Sequence, residues 1–74
     1  MNEKKRILIT GSSGFIGTNL LNILKSQNFD ISVINRSYNP NLKNVTKYVG
    51  DICDYSFVEK AILDFQPNKV FHLA

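Results

Sequence analysis

The residues best placed to do chemistry form a glycine-dense turn, residues 11–17 (GSSGFIG), directly after the apolar run at residues 7–9. An amphipathic segment, residues 18–27, follows at once, so the local order is strand, tight turn and helix. Backbone N–H groups at the start of a helix favour an anion, because the helix dipole places partial positive charge there. Glycine is needed where a side chain would block the turn or the ligand. The pattern predicts a pyrophosphate-binding turn at the entry of a dinucleotide-binding β-α-β unit.

The elements that must position this turn can be predicted from hydrophobic periodicity. Strands are predicted at residues 6–10, 30–35, 46–49 and 69–73, and helices at residues 18–27 and 55–65. Because the first strand is apolar at consecutive positions, both of its faces should be buried, as in a parallel strand covered by helices on both sides. The first helix is expected to face the sheet through Ile16, Leu20, Ile23 and Leu24.

The start of the second helix carries two candidate capping residues, Asp54 and Ser56. Ser56 and Glu59 have the spacing of a capping box. Pro67 ends the helix, because proline cannot continue it.

The predicted order β-α-β-β-α-β specifies an α/β fold, the N-terminal half of a Rossmann-type doubly wound parallel sheet. It stops on a strand that is normally interior, where an unpaired edge invites aggregation. We therefore expect residues 1–74 to be a partial NAD(P)-binding Rossmann domain, a fragment of a longer protein.

Composition narrows the class of protein. The chain has 74 residues, 43% of them apolar and 20% charged, with a net charge of +3, which is typical of a small globular domain. No apolar run approaches the roughly 20 residues of a membrane span, and the three-residue apolar run before Thr10 is too short for a signal peptide, so a cytoplasmic protein is expected. The basic run Lys4-Lys5-Arg6 favours a solubilised terminus over nucleic-acid binding, which is the weaker alternative.

Four signals occur in register along the chain and together carry a family resemblance. They are Thr10 before the turn, Phe15-Ile16 within it, Gly50-Asp51-Ile52 after the third strand, and His72-Leu73-Ala74 at the end of the fourth. The spacing G-x-x-G-x-x-G also differs from the G-x-G-x-x-G of ordinary dehydrogenases. The whole chain resembles the N-terminal part of the extended short-chain dehydrogenase/reductase family, in its NAD(P)-dependent epimerase/dehydratase branch that acts on nucleotide sugars.

The resemblance assigns the phosphate loop to Gly11, Gly14 and Gly17, with the backbone of Phe15 and Ile16 facing the pyrophosphate. A turn that binds no ligand is the alternative. Ser13, like its neighbour Ser12, could donate a hydrogen bond to phosphate or simply be solvated.

The remaining cofactor contacts that the resemblance implies come from two later strand ends. Asp51 and Ile52 match the pair beside the adenine, the carboxylate accepting from the adenine amino group; a solvated turn residue is the alternative for Asp51. Leu73 and Ala74 match the strand end beside the nicotinamide-side ribose.

Asn35 and Arg36 depart from the commonest pattern, in which a carboxylate about 20 residues beyond the loop binds the ribose 2′-hydroxyl of NAD. Asn35 does not repel a phosphate, and Arg36 could pair with a 2′-phosphate through charge-assisted hydrogen bonds. These two residues predict an NAD(P) cofactor with a preference for NADP. Alternatively, Arg36 stacks on the adenine or is solvated, and NAD remains usable.

Two reactive residue types are interpreted as structural. His72 lies in a strand expected to be buried and has no carboxylate nearby in sequence, so packing is favoured over general-base catalysis. Cys53 has no second cysteine or histidine beside it, so an inert thiol is favoured over a nucleophile.

The catalytic machinery that the resemblance implies, a Tyr-x-x-x-Lys pair with a Ser or Thr, is not found in these 74 residues; Tyr55 and Lys60 are one position too far apart. We predict an inactive fragment without catalytic or metal-binding residues, and a homodimeric parent enzyme that moves hydride between nicotinamide and a sugar ring carbon. The sugar-nucleotide domain would follow this chain, and neither nucleic acid nor membrane is an expected partner. A non-catalytic Rossmann protein that binds NADP as a sensor or scaffold is the alternative.

Overall fold

The structure is a computed structural model and describes residues 4–11, 15–37 and 44–73. The elements are β1 (Lys5–Thr10), α1 (Phe15–Lys25), β2 (Phe29–Asn35), β3 (Thr46–Val49), α2 (Tyr55–Phe65) and β4 (Lys69–His72). The predicted order β-α-β-β-α-β is confirmed, and the bounds of β3 and α2 agree with the prediction.

The four strands form one parallel sheet in the order β3-β2-β1-β4. Leaving β1, the chain builds β2 and then β3 on one side, and then crosses back to place β4 on the other side of β1. The direction of winding therefore reverses between β1 and β4. In open α/β sheets a crevice forms outside the carboxyl ends of the strands at such a reversal.

Strand β1 lies at the centre of the core because both of its faces are covered. Ile7 and Ile9 pack on one side with Leu21 and Leu24 of α1. Leu8, which is 1% exposed, packs on the other side in a cluster with residues of α2. The two helices therefore cover opposite faces, which explains the unbroken apolar run of β1.

Helix α1 packs on the sheet through a face that agrees only in part with the predicted one. Leu24 is buried and Leu20 packs against the core, as predicted. Ile16 and Ile23 are exposed, at 69% and 61%, whereas Leu21 is buried at 3%. The buried stripe runs through Gly17, Leu21 and Leu24, at the i, i+4, i+7 spacing of one helix face. The prediction of Ile16 and Ile23 as core residues was wrong because hydrophobicity alone did not mark a buried glycine as part of the packed face. The helix also begins at Phe15 and ends at Lys25, earlier than predicted at both ends.

Helix α2 begins with Asp54 as its N-cap. The Asp54 backbone is extended, and its carboxylate accepts a hydrogen bond from the N–H of Phe57 at 3.3 Å. Ser56, the other predicted candidate, lies inside the first turn, so the capping box predicted for Ser56 and Glu59 is not the cap of this helix. At the other end Gln66 takes a left-handed conformation with φ 54°, and its N–H bonds the carbonyl of Ile62.

Candidate dinucleotide-binding site

The predicted turn leaves the sheet at the carboxyl end of β1. Gly11 has φ 77°, in the left-handed region that glycine adopts without steric cost. Its N–H donates to the carbonyl of Ile34 at 3.4 Å, so the turn starts against the neighbouring strand β2. Helix α1 then begins at Phe15, so its N-terminus lies at the same carboxyl edge of the sheet as the end of β1. The described ends of the turn, at Gly11 and at the start of α1, thus lie at the carboxyl edge, and anion binding there stays a prediction.

Two hydrogen bonds join the carboxyl ends of β1 and β4, where the direction of winding reverses. The N–H of Leu73 donates to the carbonyl of Thr10 at 3.0 Å, which carries the parallel pairing one residue past the end of β4. Beside it the Thr10 hydroxyl oxygen lies 2.7 Å from Nδ1 of His72. His72 is therefore held at the strand end by a polar partner. The expectation that it is buried was wrong, because β4 is covered on too few sides to bury it.

The ends of β2 and β3 bring an ion pair to the same edge. The guanidinium of Arg36 lies 3.5 Å from Oδ1 of Asp51, and both side chains are largely exposed, at 80% and 53%. The same Oδ1 accepts a hydrogen bond from the N–H of Cys53 at 2.9 Å. That hydrogen bond and, more weakly, the charge of Arg36 hold the pKa of Asp51 below its usual value, against an opposing effect of desolvation.

Gly50 fixes how closely helix α2 approaches this edge. Its N–H donates to the carbonyl of Asn35 at 2.9 Å, which joins the ends of β2 and β3. A Cβ on Gly50 would lie 2.6 Å from the ring of Phe57, so a larger residue here would force that ring to shift. Asp51 follows Gly50 in sequence. Its backbone carbonyl accepts a hydrogen bond from the N–H of Asp54, the N-cap of α2, at 2.9 Å, and this bond holds Asp51 next to the start of the helix.

Not every predicted site residue lies in the described part of the chain. Ser13, Gly14 and Ala74 lie outside it. Among the others, Ile16 is exposed in the first turn of α1, and Ile52 is half-buried against the cluster beneath α2. The structure brings Gly11, Asn35, Arg36, Asp51 and Leu73 together along one edge of the sheet.

Two contacts at this edge were not predicted from the sequence. The Thr10–His72 contact depends on the pairing of β1 with β4, in which these residues are register partners. The Arg36–Asp51 pair depends on β2 and β3 being neighbours. Both strand pairs could have been inferred from a Rossmann order, because carboxyl ends of parallel strands share an edge.

Other kinds of site find little support among the described residues. No group of three His, Cys, Asp or Glu side chains in residues 4–11, 15–37 and 44–73 could hold a metal ion. Cys53 is an exposed free thiol. In this part of the chain, no helix has the length and apolar composition needed to cross a membrane. A cavity of about 260 Å³ lies near the amino ends of the strands, lined in part by Lys5, Asn68 and Lys69, away from the polar edge.

The strand ends, the Gly11 turn and the reversal point together form the edge at which α/β proteins bind nucleotides. A sequence model of the NAD dependent epimerase/dehydratase family matches residues 7–74. The chain belongs to this family. The membership confirms the predicted resemblance, and the parallel sheet confirms the predicted fold class.

Curated relatives of this chain are named as enzymes of nucleotide-linked sugars. The chain is 37% identical to the dTDP-glucose 4,6-dehydratase of Haemophilus influenzae over 92% of its own length and 23% of that protein. It is 28% identical to the UDP-glucuronic acid decarboxylase 1 of Danio rerio over 97% of its length and 18% of that protein. The chain thus spans about a quarter or less of the curated relatives that it matches.

Solved structures similar to this chain include two enzymes in complex with NAD. The enzyme WbmG of Bordetella bronchiseptica with NAD superposes with a TM-score of 0.84 at 30% identity, over 99% of this chain and 26% of that one. The UDP-glucose 4-epimerase of Thermus thermophilus with NAD gives a TM-score of 0.84 at 32% identity, over 93% of this chain and 24% of that one.

Proposed function

We propose that this chain is the N-terminal cofactor-binding part of an NAD(P)-dependent epimerase, dehydratase or reductase that acts on a nucleotide-linked sugar. The observation that carries the proposal is the carboxyl edge of the sheet, where the left-handed Gly11 turn stands next to the β1–β4 reversal. The NAD complexes of two similar structures and the sugar nucleotides named in the relatives support the choice of cofactor and substrate class.

The described residues fit a dinucleotide in their chemistry. Gly11 offers backbone without a side chain where a pyrophosphate would approach, and α1 starts behind it. Asp51 uses Oδ1 for both of its contacts, so Oδ2 could accept from an adenine amino group. Leu73, tied to Thr10 by its N–H, would flank the ribose on the nicotinamide side. Ser13, Gly14 and Ala74 complete the proposed site, with Phe15, Ile16, Gly17 and Ile52 as its remaining members.

For the choice of cofactor, we propose that NADP is accepted and preferred. Arg36 follows the end of β2, where the adenine-side ribose of a dinucleotide would lie, and its side chain is 80% exposed. A guanidinium pairs with a phosphate through two parallel hydrogen bonds, and Asn35 adds no negative charge against it. Arg36→Ala should therefore weaken NADP binding more than NAD binding.

In the parent enzyme the nicotinamide would exchange a hydride with a sugar ring carbon, while side chains beyond residue 74 would move the hydroxyl proton. This chain's own residues bind and orient the cofactor, and we propose that the 74 residues alone do not turn over. The homodimeric parent stays a prediction, and so does the cytoplasmic location, which rests on the composition of the chain.

The test is calorimetric titration of the protein with NAD, NADP and a panel of sugar nucleotides. We expect saturable binding of the dinucleotides and no binding of the sugar nucleotides by residues 1–74 alone. Binding of neither NAD nor NADP would contradict the proposal. A parent chain that binds NADP but lacks a downstream Tyr-x-x-x-Lys would replace the enzyme with a sensor or scaffold.

A further inference from the structure

We propose that Asp51 restrains Arg36 and thereby sets how strongly the site prefers a 2′-phosphorylated cofactor. The inference rests on the proposed function, since it assumes that a dinucleotide binds at the carboxyl edge. Cofactor preference would then depend on Asp51 as well as on Arg36, because Asp51 affects how Arg36 pairs with the 2′-phosphate.

The geometry places the two charges in competition. The Arg36 guanidinium lies 3.5 Å from Asp51 Oδ1, on the side of the sheet where β2 and β3 end. An incoming 2′-phosphate would need the same guanidinium, and a carboxylate already paired with it must be displaced or share it. NAD has no 2′-phosphate, so NAD can bind without breaking the Arg36–Asp51 ion pair.

Asp51 is well placed to remain a competitor because its own position is fixed. Its Oδ1 is held by the N–H of Cys53 at 2.9 Å, and its backbone carbonyl is held by the N–H of Asp54. The carboxylate thus stays where β3 meets α2, while the long and 80% exposed Arg36 side chain is the partner free to move. The low pKa of Asp51 keeps the carboxylate charged throughout the neutral range.

The size of the effect follows from the exposure of the pair. Exposed ion pairs contribute little, equivalent to about a two- to fivefold change in an equilibrium constant. Asp51 should therefore moderate the NADP preference and leave its direction unchanged.

The experiment measures the dissociation constants of 5′-AMP and 2′,5′-ADP with the purified protein, for wild type, Asp51→Asn, Arg36→Ala and the double variant. The ratio of the two constants isolates the 2′-phosphate, because any adenine contact of Asp51 affects both ligands alike. Asp51→Asn should shift the ratio about two- to fivefold toward 2′,5′-ADP. Arg36→Ala should shift it the other way.

The double variant separates the restraint from simple repulsion between Asp51 and the phosphate. If Asp51 acts through Arg36, Asp51→Asn leaves the ratio unchanged in the Arg36→Ala background. An equal shift in both backgrounds, or none in either, would overturn the inference. Two control variants should leave the ratio unchanged. Asp30→Asn removes an exposed carboxylate at the amino end of β2, and Lys60→Ala removes an exposed cation.

A ligand-free measurement keeps the two proposals distinguishable. Carboxyl ¹³C NMR titration should give Asp51 a higher pKa in Arg36→Ala than in wild type, because the guanidinium is lost. A pKa that does not change would overturn the inference. Failure of wild type to bind either adenosine ligand would overturn the proposed function, and the inference with it, even if the pKa moves.

Discussion

Gly50 shows at the scale of one residue how the sequence sets the shape of the site. Its φ is not positive, so glycine is not required by backbone conformation, and the ring of Phe57 occupies the space a Cβ would need. We expect Gly50→Ala to lower the free energy of unfolding by about 1–3 kcal/mol, because the ring must shift within a packed cluster. Chemical denaturation measures the change.

The control for this prediction is the same substitution in a Phe57→Leu background. Leucine lacks the ring atoms that face Gly50, so the penalty of Gly50→Ala should fall to less than half. Equal penalties in the two backgrounds would show that the ring contact is not the cause.

Tyr48 carries a pH-dependent contribution to stability. Its hydroxyl donates to Asp64 Oδ2 at 2.6 Å and joins β3 to α2. Burial, and then this hydrogen bond and the charge of Asp64, raise the pKa of Tyr48 to about 12. The folded protein holds the phenolic proton more tightly than the unfolded chain, so the contribution is full below about pH 10 and is lost as pH rises toward 12.

We therefore expect Tyr48→Phe to be less stable than wild type near neutral pH, by about 1 kcal/mol, and to show a shallower loss between pH 10 and 12. Unfolding free energies across this range give both quantities. The control is Tyr55→Phe, because Tyr55 is 76% exposed. This variant should keep the wild-type dependence of the unfolding free energy on pH. A slope unchanged in Tyr48→Phe would refute the assignment.

At the scale of elements, the cap of α2 has a stability effect of its own. Asp54 satisfies the N–H of Phe57, one of the donors that the first turn of a helix leaves free. Asp54→Ala should destabilise the protein by about 1 kcal/mol, whereas Ser56→Ala should change stability little. Thermal unfolding compares the two variants; a larger loss for Ser56→Ala would restore the capping box predicted from the sequence.

The two helices show which structural details a sequence pattern can predict. The bounds of α2 could be predicted because chemical signals mark both ends, Asp54 at the start and Pro67 just past the end. The buried face of α1 could not be predicted in the same way, because Ile16 and Ile23 match the helical periodicity as well as Leu21 and Leu24 do. Which face meets the sheet is decided by the tertiary packing, in which Gly17, Leu21 and Leu24 are buried.

At the scale of the whole molecule, the topology places the site. The order β3-β2-β1-β4 brings residues that are far apart in sequence to one edge, among them Gly11, Asp51 and Leu73. The family resemblance assigned these residues to one cofactor site, and the order of the parallel strands places them on one carboxyl edge. The side-chain pairs Thr10–His72 and Arg36–Asp51 were missed, since rotamers and register decide them.

The central claim, that a dinucleotide binds along this edge, can be tested residue by residue. Backbone amide resonances of the ¹⁵N-labelled protein are followed by NMR during titration with NAD. We predict saturable shifts at Gly11, Asp51 and Leu73, with little change at Lys5 and Asn68 on the opposite edge of the sheet. Shifts confined to Lys5 and Asn68, or the absence of any saturable shift, would contradict the account.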